Sequence, residues 1–314
     1  MPDPGRMRML GIMKNEFDVV IIGGGVAGLS AALVLGRARR EVVVIDAGTP
    51  RNTPAAHAHG FLTRDGIPPK ELLATGRDEV RAYGVEIVED VVHRLRHDKA
   101  VELASGRVIR GRRIVVTTGL ADELPDVPGV AERFGTDVLH CPYCHGWEVR
   151  DQRFGVLATS EKSVHQALIV WQWSKDLTFF THTRQISAED RVKLTGLGIR
   201  IVDGKVSELA VEDDRLTGVR LVDGELVERD VVFVGPKFVP HDRLLAQIGC
   251  ERTEDGFVKV DAQGRTNVDG VWAAGNVVDP MAQLVVAAGD AYRMASALNF
   301  DLVLEDQGAT LASA

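Results

Sequence analysis

The chain has 314 residues, 45% of them hydrophobic and 26% charged, with a formal net charge of −8. That length accommodates two domains with their own cores, and the balance is that of a globular protein. The acidic surplus argues against a nucleic-acid surface, and no run of about eighteen apolar residues marks a membrane span. The N-terminal stretch MPDPGRMRMLGIMKNEF lacks the apolar segment and cleavage pattern of a secretion signal. Residues 1–16 read as a disordered extension, with Met13 an alternative start, and a cytoplasmic location is expected.

Residues 18–22 (DVVII) form a short apolar run, the mark of a strand buried on both faces of a parallel sheet. The run enters Gly23-Gly24-Gly25-Val26-Ala27-Gly28, and residues 27–39 read as a helix with small and apolar residues on one face. Residues 41–45 are a second buried strand, ending at Asp46. Strand, glycine turn, helix, strand and acid in this order make a dinucleotide-binding βαβ unit. Gly23 permits the tight turn, Gly25 lets the backbone approach a pyrophosphate, and Gly28 lets helix and strand pack closely. The helix N-terminus offers unpaired N–H groups to phosphate, and Asp46 is placed to accept from a ribose hydroxyl pair.

Residues 113–118 (RIVVTT) form another buried strand, closed by Gly119 and the proline-bearing stretch LPDVPGV, which reads as a crossover into a second domain. The cluster Cys141-Pro142-Tyr143-Cys144-His145 follows. Two cysteines at this spacing reach disulfide distance within one turn, and such a pair is either redox-active or metal-binding. Zinc needs four ligands, and no second CxxC or HxxxH completes a set, so no metal is expected. Pro142 restricts the backbone between the sulfurs. His145 is suited to take a proton from an incoming thiol and to stabilise the thiolate. His140 is a second candidate, with a hydrogen-bonded loop histidine as the competing reading. Cys250 reads as a buried, inert thiol, and Trp171 with Trp173 as helix packing at the domain junction.

From Arg153 a second α/β pattern begins: strand 154–158, helix 163–174, strand 177–181, strand-rich segments over 200–222 and a buried strand 231–234. Past Gly235-Pro236 the chain returns to the first domain, and a last helix is expected over about residues 283–299.

With these residues assembled, the chain resembles the low-molecular-weight thioredoxin reductases, a group of two-domain flavoproteins. The likeness spans most of the chain beyond about Glu16. It rests on the N-terminal glycine turn, on Thr117-Thr118-Gly119, on the placement of the CxxC and on residues 266–276 (TNVDGVWAAGN). The last motif is similar to the group's second FAD fingerprint, except that Asn276 stands where Asp is usual. Within the group the chain looks most similar to the dithiol oxidases of the gliotoxin and holomycin type. Those carry Cys-x-x-Cys-His-Gly, present here at 141–146, whereas reductases usually have Asp at the position of His145. Arg51-Asn52 and the loop His57-Ala58-His59-Gly60 also resemble that subgroup.

The resemblance implies an α/β chain of two Rossmann-like, doubly wound, three-layer domains, the second inserted into the first. An FAD-binding domain would comprise 17–119 and 237–314, and an NAD(P)-binding-like domain carrying the CxxC would comprise 120–236. FAD would be held by Gly23, Gly25, Gly28, Asp46, Arg51, Asn52, Thr118, Gly119, Gly275, Asn276 and Gln283, although Ala282 replaces the arginine that usually precedes that glutamine. Cys144 would lie beside the flavin and Cys141 would be the outer thiol. A homodimer is implied in the same way.

NADPH is doubtful. Where the inserted domain's glycine turn should lie, residues 158–163 read ATSEKS, and Cβ atoms would crowd a pyrophosphate. The basic pair that usually holds a 2′-phosphate is replaced by residues 181–184 (THTR). The expected reaction is oxidation of a dithiol to a disulfide, with O2 as acceptor and H2O2 as product. The alternatives are an NADPH-dependent thioredoxin-disulfide reductase and a non-catalytic flavin-bound redox sensor. The partner is a small-molecule or peptide dithiol, with thioredoxin as a third option.

Overall fold

The computed structural model describes residues 14–312. The expected N-terminal extension and the alternative start at Met13 fall outside the described residues, except that the chain is already a strand from Glu16. The chain divides into two compact units. One is drawn from the chain up to Gly48, Gly76–Gly119 and His241 onward; the other comprises Thr49–Thr75 and Leu120–Pro240.

In the first unit a seven-stranded sheet runs in the order Glu86–Glu89, Val42–Asp46, Glu16–Ile22, Val108–Val116, Ala100–Leu103, Val92–Leu95, and Val271–Ala273 also pairs with Val108–Val116. Its central strands are parallel, and register pairs Ile22 with both Ile45 and Val116. Three strand ends are therefore level, which brings Gly23, Asp46 and Thr117 to one edge of the sheet. The interior side chains of these strands, Val19, Val20, Ile21, Val43, Val44, Ile114 and Val115, are wholly buried. Each contributes on the order of 1.5–3 kcal/mol by leaving water. The strand Val108–Val116 begins five residues before the apolar run that announces it, because its polar first half pairs antiparallel with Ala100–Leu103.

The glycine turn opens the helix Val26–Arg37, which packs against a C-terminal helix, Leu284–Ala312. That helix continues well beyond the expected end near residue 299. Arg113 pairs there with Asp301 at 2.7 Å and Glu305 at 2.6 Å, and Arg112 pairs with Glu305 at 2.8 Å and Asp306 at 2.6 Å. Arg40 reaches Asp306 at 2.6 Å. Among the described residues no helix is long and apolar enough to cross a membrane.

The second unit has its own parallel sheet, ordered Arg200–Val202, Leu177–Phe180, Phe154–Leu157, Val231–Val234, Val138–Leu139. Phe154, Phe179, Phe180 and Phe233 are wholly buried in it. A three-stranded antiparallel sheet covers Val206–Glu212, Arg215–Leu221 and Leu226–Glu228. The helix expected over 163–174 closes at Val170, where the Gln172 and Trp173 N–H groups turn back to carbonyls three residues earlier. Both units are thus α/β with parallel sheets of the Rossmann kind.

The unit boundaries differ from those expected in two places. Lys237–Pro240 pairs antiparallel with Leu120–Glu123, so the return to the first unit falls at His241. Thr49–Thr75 groups with the second unit, where Arg51 grips Asp122 and Pro54 lies against Gly135.

Candidate active site

The glycine turn is built by contacts that exclude side chains. Gly23 has φ +106°, and a Cβ there would lie 2.5 Å from the Thr117 carbonyl oxygen. At Gly28 a Cβ would come within 1.9 Å of the Gly23 carbonyl oxygen. A Cβ at Gly25 would meet nothing within 4 Å, so the outer face of the turn is open where a pyrophosphate belongs. Thr117 Oγ1 donates to the carbonyls of Ile22 at 3.2 Å and Gly23 at 2.9 Å, which fixes the turn. Asp46 accepts from the Gly24 N–H at 3.2 Å and is paired with Arg77. A carboxylate has about four lone-pair sites, so it retains capacity for a ribose hydroxyl. These residues fit the pyrophosphate and ribose of FAD. Arg77 was not foreseen; it stands on the helix Pro69–Arg81, 31 positions after Asp46, and no spacing rule links the two.

Thr118 Oγ1 donates to the His241 carbonyl at 2.7 Å, and Gly119 turns with φ +72°. Gly275 has φ +76°, and a Cβ there would press on Ala27 at 2.9 Å, so the second fingerprint rests on the helix of the first. Asn276 Nδ2 donates to the carbonyls of Asp279 at 2.9 Å and Ala282 at 3.0 Å, leading the chain to Gln283, which is exposed just before the C-terminal helix. These residues all lie in the first unit. Arg51 and Asn52 lie in the second. There the Arg51 guanidinium donates to Asp122 at 2.8 and 2.7 Å and stacks over Phe238 at 5.1 Å.

In the second unit Cys141 caps a one-turn helix, Pro142–His145, and Pro142 takes the first position, where its missing N–H costs nothing. The Cys144 N–H donates to the Cys141 carbonyl at 3.2 Å, and the Gly146 N–H to the Pro142 carbonyl at 2.7 Å. A Cβ at Gly146 would lie 2.5 Å from that carbonyl and 3.0 Å from the Trp173 ring. Trp173 also meets Tyr143 edge-on at 5.4 Å. Trp173 is therefore a wall of the dithiol turn, while Trp171 Nε1 donates to the Leu197 carbonyl at 3.0 Å.

His145 is half-buried, and burial pushes its imidazole below the ordinary histidine value. The Glu148 carboxylate and the Cys141 carbonyl pull it up, and His59 pushes it down. Nδ1 of His145 is buried without a hydrogen bond of normal geometry. His140 faces the Val234 carbonyl through Nδ1 at 3.1 Å and packs edge-on to Phe238 at 5.2 Å. Burial lowers its pKa too, against the pull of that carbonyl. One His140 nitrogen is thus committed to the sheet beside it. His59 also reaches this corner, with Nε2 3.5 Å from Glu148. In the first unit Cys250 has its thiol pushed up by burial, with Sγ 3.7 Å from Thr266 Oγ1, as suits an unreactive thiol. Among the described residues no group of three or more His, Cys, Asp or Glu side chains is arranged to hold a metal.

Residues 17–291 match the pyridine nucleotide-disulphide oxidoreductase family. The chain belongs to that family. It is an oxidoreductase acting on sulfur groups, and membership implies a flavin, FAD. The chain is 32% identical to thioredoxin reductase sirT of Leptosphaeria maculans, over 93% of this chain and 96% of the relative. It is 32% identical to thioredoxin reductase tcpT of Claviceps purpurea (strain 20.1), over 84% and 87%. The crystal structure of HlmI superposes with a TM-score of 0.91 at 50% identity, covering 95% of this chain and 96% of that one. A putative thioredoxin reductase, TrxB of Bacillus anthracis, superposes with a TM-score of 0.88 at 32% identity, covering 92% and 99%.

Within this pyridine nucleotide-disulphide oxidoreductase the second unit's turn between strand and helix is closed on itself. The buried Ser163 hydroxyl accepts from the Thr159 N–H at 3.0 Å and the Ser160 N–H at 3.1 Å. Thr159 Oγ1 donates to the Gly235 carbonyl at 2.7 Å. Arg184 faces Glu161 at 3.6 Å. Donors of the kind that cradle a phosphate already have a partner here, and the arginine faces a carboxylate. The absent glycines are legible in the sequence; the serine that caps the turn was not foreseen.

Proposed function

We propose that this flavoprotein oxidises a dithiol to a disulfide through Cys141 and Cys144, with O2 as electron acceptor and H2O2 as product. The observation that carries this reading is the Ser163 hydroxyl lodged on the N–H groups of the second unit's turn, where a reductase needs NADPH phosphates. Electrons must then enter from the substrate. The Cys-x-x-Cys-His-Gly run at 141–146, shared with the gliotoxin- and holomycin-type oxidases that the chain resembles, supports the same direction. The names of sirT and tcpT favour a second reading, NADPH-dependent reduction of thioredoxin.

When bound, FAD supplies the two-electron exchange between the protein dithiol and oxygen. The Gly23–Gly28 turn and Asp46 would hold its pyrophosphate and ribose. At the second unit, His145 takes the proton from an incoming substrate thiol, and the thiolate attacks the Cys141 sulfur of the oxidised pair. The Cys141–Cys144 bond breaks and Cys144 leaves as thiolate. The second substrate thiol then displaces Cys141 from the mixed disulfide, releasing a substrate disulfide and leaving the protein dithiol. Per turnover the substrate gives up two electrons and two protons, which end on O2 as H2O2. The substrate is a small-molecule or peptide dithiol, and the working form is a cytoplasmic homodimer. Support for the dimer comes from the exposed Val285, Tyr292, Phe300, Leu304 and Leu311 along the C-terminal helix.

Anaerobic spectra test the reading. A simple dithiol should bleach the flavin band while NADPH leaves it unchanged, and bleaching by micromolar NADPH would overturn the oxidase. Cys144→Ser should retain flavin and lose turnover.

A further inference from the structure

The cycle above uses only His145 from its corner of the second unit, yet a loop more than eighty residues earlier in the chain is brought to the same place. The His59 ring stands between two carboxylates, with Nδ1 3.4 Å from Asp65 and Nε2 3.5 Å from Glu148. The loop that delivers it is pinned. Asp65 accepts from the Gly60 N–H at 2.8 Å, and Ala58 and Ile67 form a bridge through the Ala58 N–H to the Ile67 carbonyl at 2.8 Å. Glu148 stands three residues after His145, just past the one-turn helix that carries the dithiol.

We propose that Glu148 and His59 are positioning residues for His145, a carboxylate–imidazole pair that steadies the base serving Cys141 and Cys144 and sets the pH range over which it works. This rests on the reading of His145 as the proton acceptor. Taking a proton from a thiol turns a half-buried, incompletely hydrogen-bonded ring into an imidazolium. A carboxylate nearby offsets that charge. Glu148 pulls the ring toward the charged form, against the burial that pushes it away. His59 checks this from the other side: its Nε2 stands 3.5 Å from Glu148, and it pushes the His145 ring away from the charged form. Glu148 and His59 act on His145 through their charge, and the Cys141 backbone acts on it through a hydrogen bond. On His59 they are Asp65 and Glu148, with the His57 ring 6.4 Å away.

The two partners pull in opposite directions, and that makes the idea testable. The flavin-loaded protein is used in both assays, as wild type and as the variants Glu148→Gln, Glu148→Asp, His59→Gln and His145→Gln. Dithiol turnover and, after reduction, the rate of cysteine alkylation by iodoacetamide are followed against pH. Glu148→Gln should move the acid limb of both profiles to lower pH by about half a pH unit or more, the scale of one partly screened charge nearby. His59→Gln should move it to higher pH, and Glu148→Asp should recover most of the wild-type position. Limbs that stay in place in both Glu148→Gln and His59→Gln, or that move the same way, overturn the proposal. If Cys144→Ser turns over normally, or His145→Gln leaves the limb in place, it is the oxidase reading that fails. If those two behave as expected while Glu148 and His59 prove silent, only the positioning pair is lost. Glu148 is exposed, so its replacement leaves the core untouched.

Discussion

Alanine at Gly146 should deform the dithiol turn. The added Cβ has the Pro142 carbonyl, part of the cysteine helix itself, on one side and the indole of Trp173 on the other. Overpacking of this kind costs about 1–3 kcal/mol. We expect a lower melting temperature, a slower exchange of Cys141 with added dithiol, and unchanged flavin content. Unchanged exchange kinetics would show that the turn has more slack than the contacts indicate. At this scale the sequence is legible where one residue type is demanded by its own backbone. Gly23 and Gly28 announce themselves because the motif places them against strand and helix. Gly146 was visible only as part of a resemblance, since its neighbour Trp173 lies 27 positions away. Arg77, Ser163 and Glu148 carry no local signature, because each acts through a partner the fold supplies.

The C-terminal helix shows why an element's existence is easier to read than its extent. Its first half is announced by small and apolar residues, and after Asn299 the carboxylates Asp301, Glu305 and Asp306 break into the apolar run. What sustains the second half is a set of arginines from the sheet, Arg112 and Arg113, and Arg40 beside it. Such pairs leave no periodic trace. Arg113 is largely buried while its carboxylate partners are part-exposed. Arg113→Ala should therefore cost about 1–3 kcal/mol, between a surface pair and a buried one. A denaturant midpoint matching wild type would refute that.

The same carboxylates give a pH dependence. Hydrogen bonds from Arg112 hold Glu305, and hydrogen bonds from Arg40 and Arg112 hold Asp306, below the ordinary carboxylate range. Their folded values lie beneath the unfolded ones, so their stabilisation is complete above about pH 4–5 and fades as pH falls through the lowered values. Melting temperatures recorded downward from neutrality should drop more steeply in wild type than in Arg112→Ala. The buried parallel strands, by contrast, are legible almost to the residue, because both faces are apolar. The parallel edge strand Glu86–Glu89 and the antiparallel strands Val92–Leu95 and Ala100–Leu103 are not, since they are short and mix polar with apolar residues.

For the molecule as a whole, the exposed apolar stripe of the C-terminal helix calls for a partner, and a second copy is the one we propose. Phe300→Glu should convert a dimer to a monomer in light scattering while retaining flavin. A wild type that is monomeric at micromolar concentration would dismiss the idea. The two-unit plan was readable from the glycine turn, the return expected after Gly235-Pro236 and the late fingerprint. The affiliation of Thr49–Thr75 was not, because a polar loop running from a strand into a helix gives no sign of which core it will join.

That affiliation means the chain passes between units at four points, after Gly48, Thr75, Gly119 and Pro240, where a plain insertion would need two. The portable cassette for thiol chemistry is consequently split. A chimaera receiving only Leu120–Pro240 would inherit both sulfurs and their adjoining base, but would leave behind the loop that brings His59 and Asp65 to them.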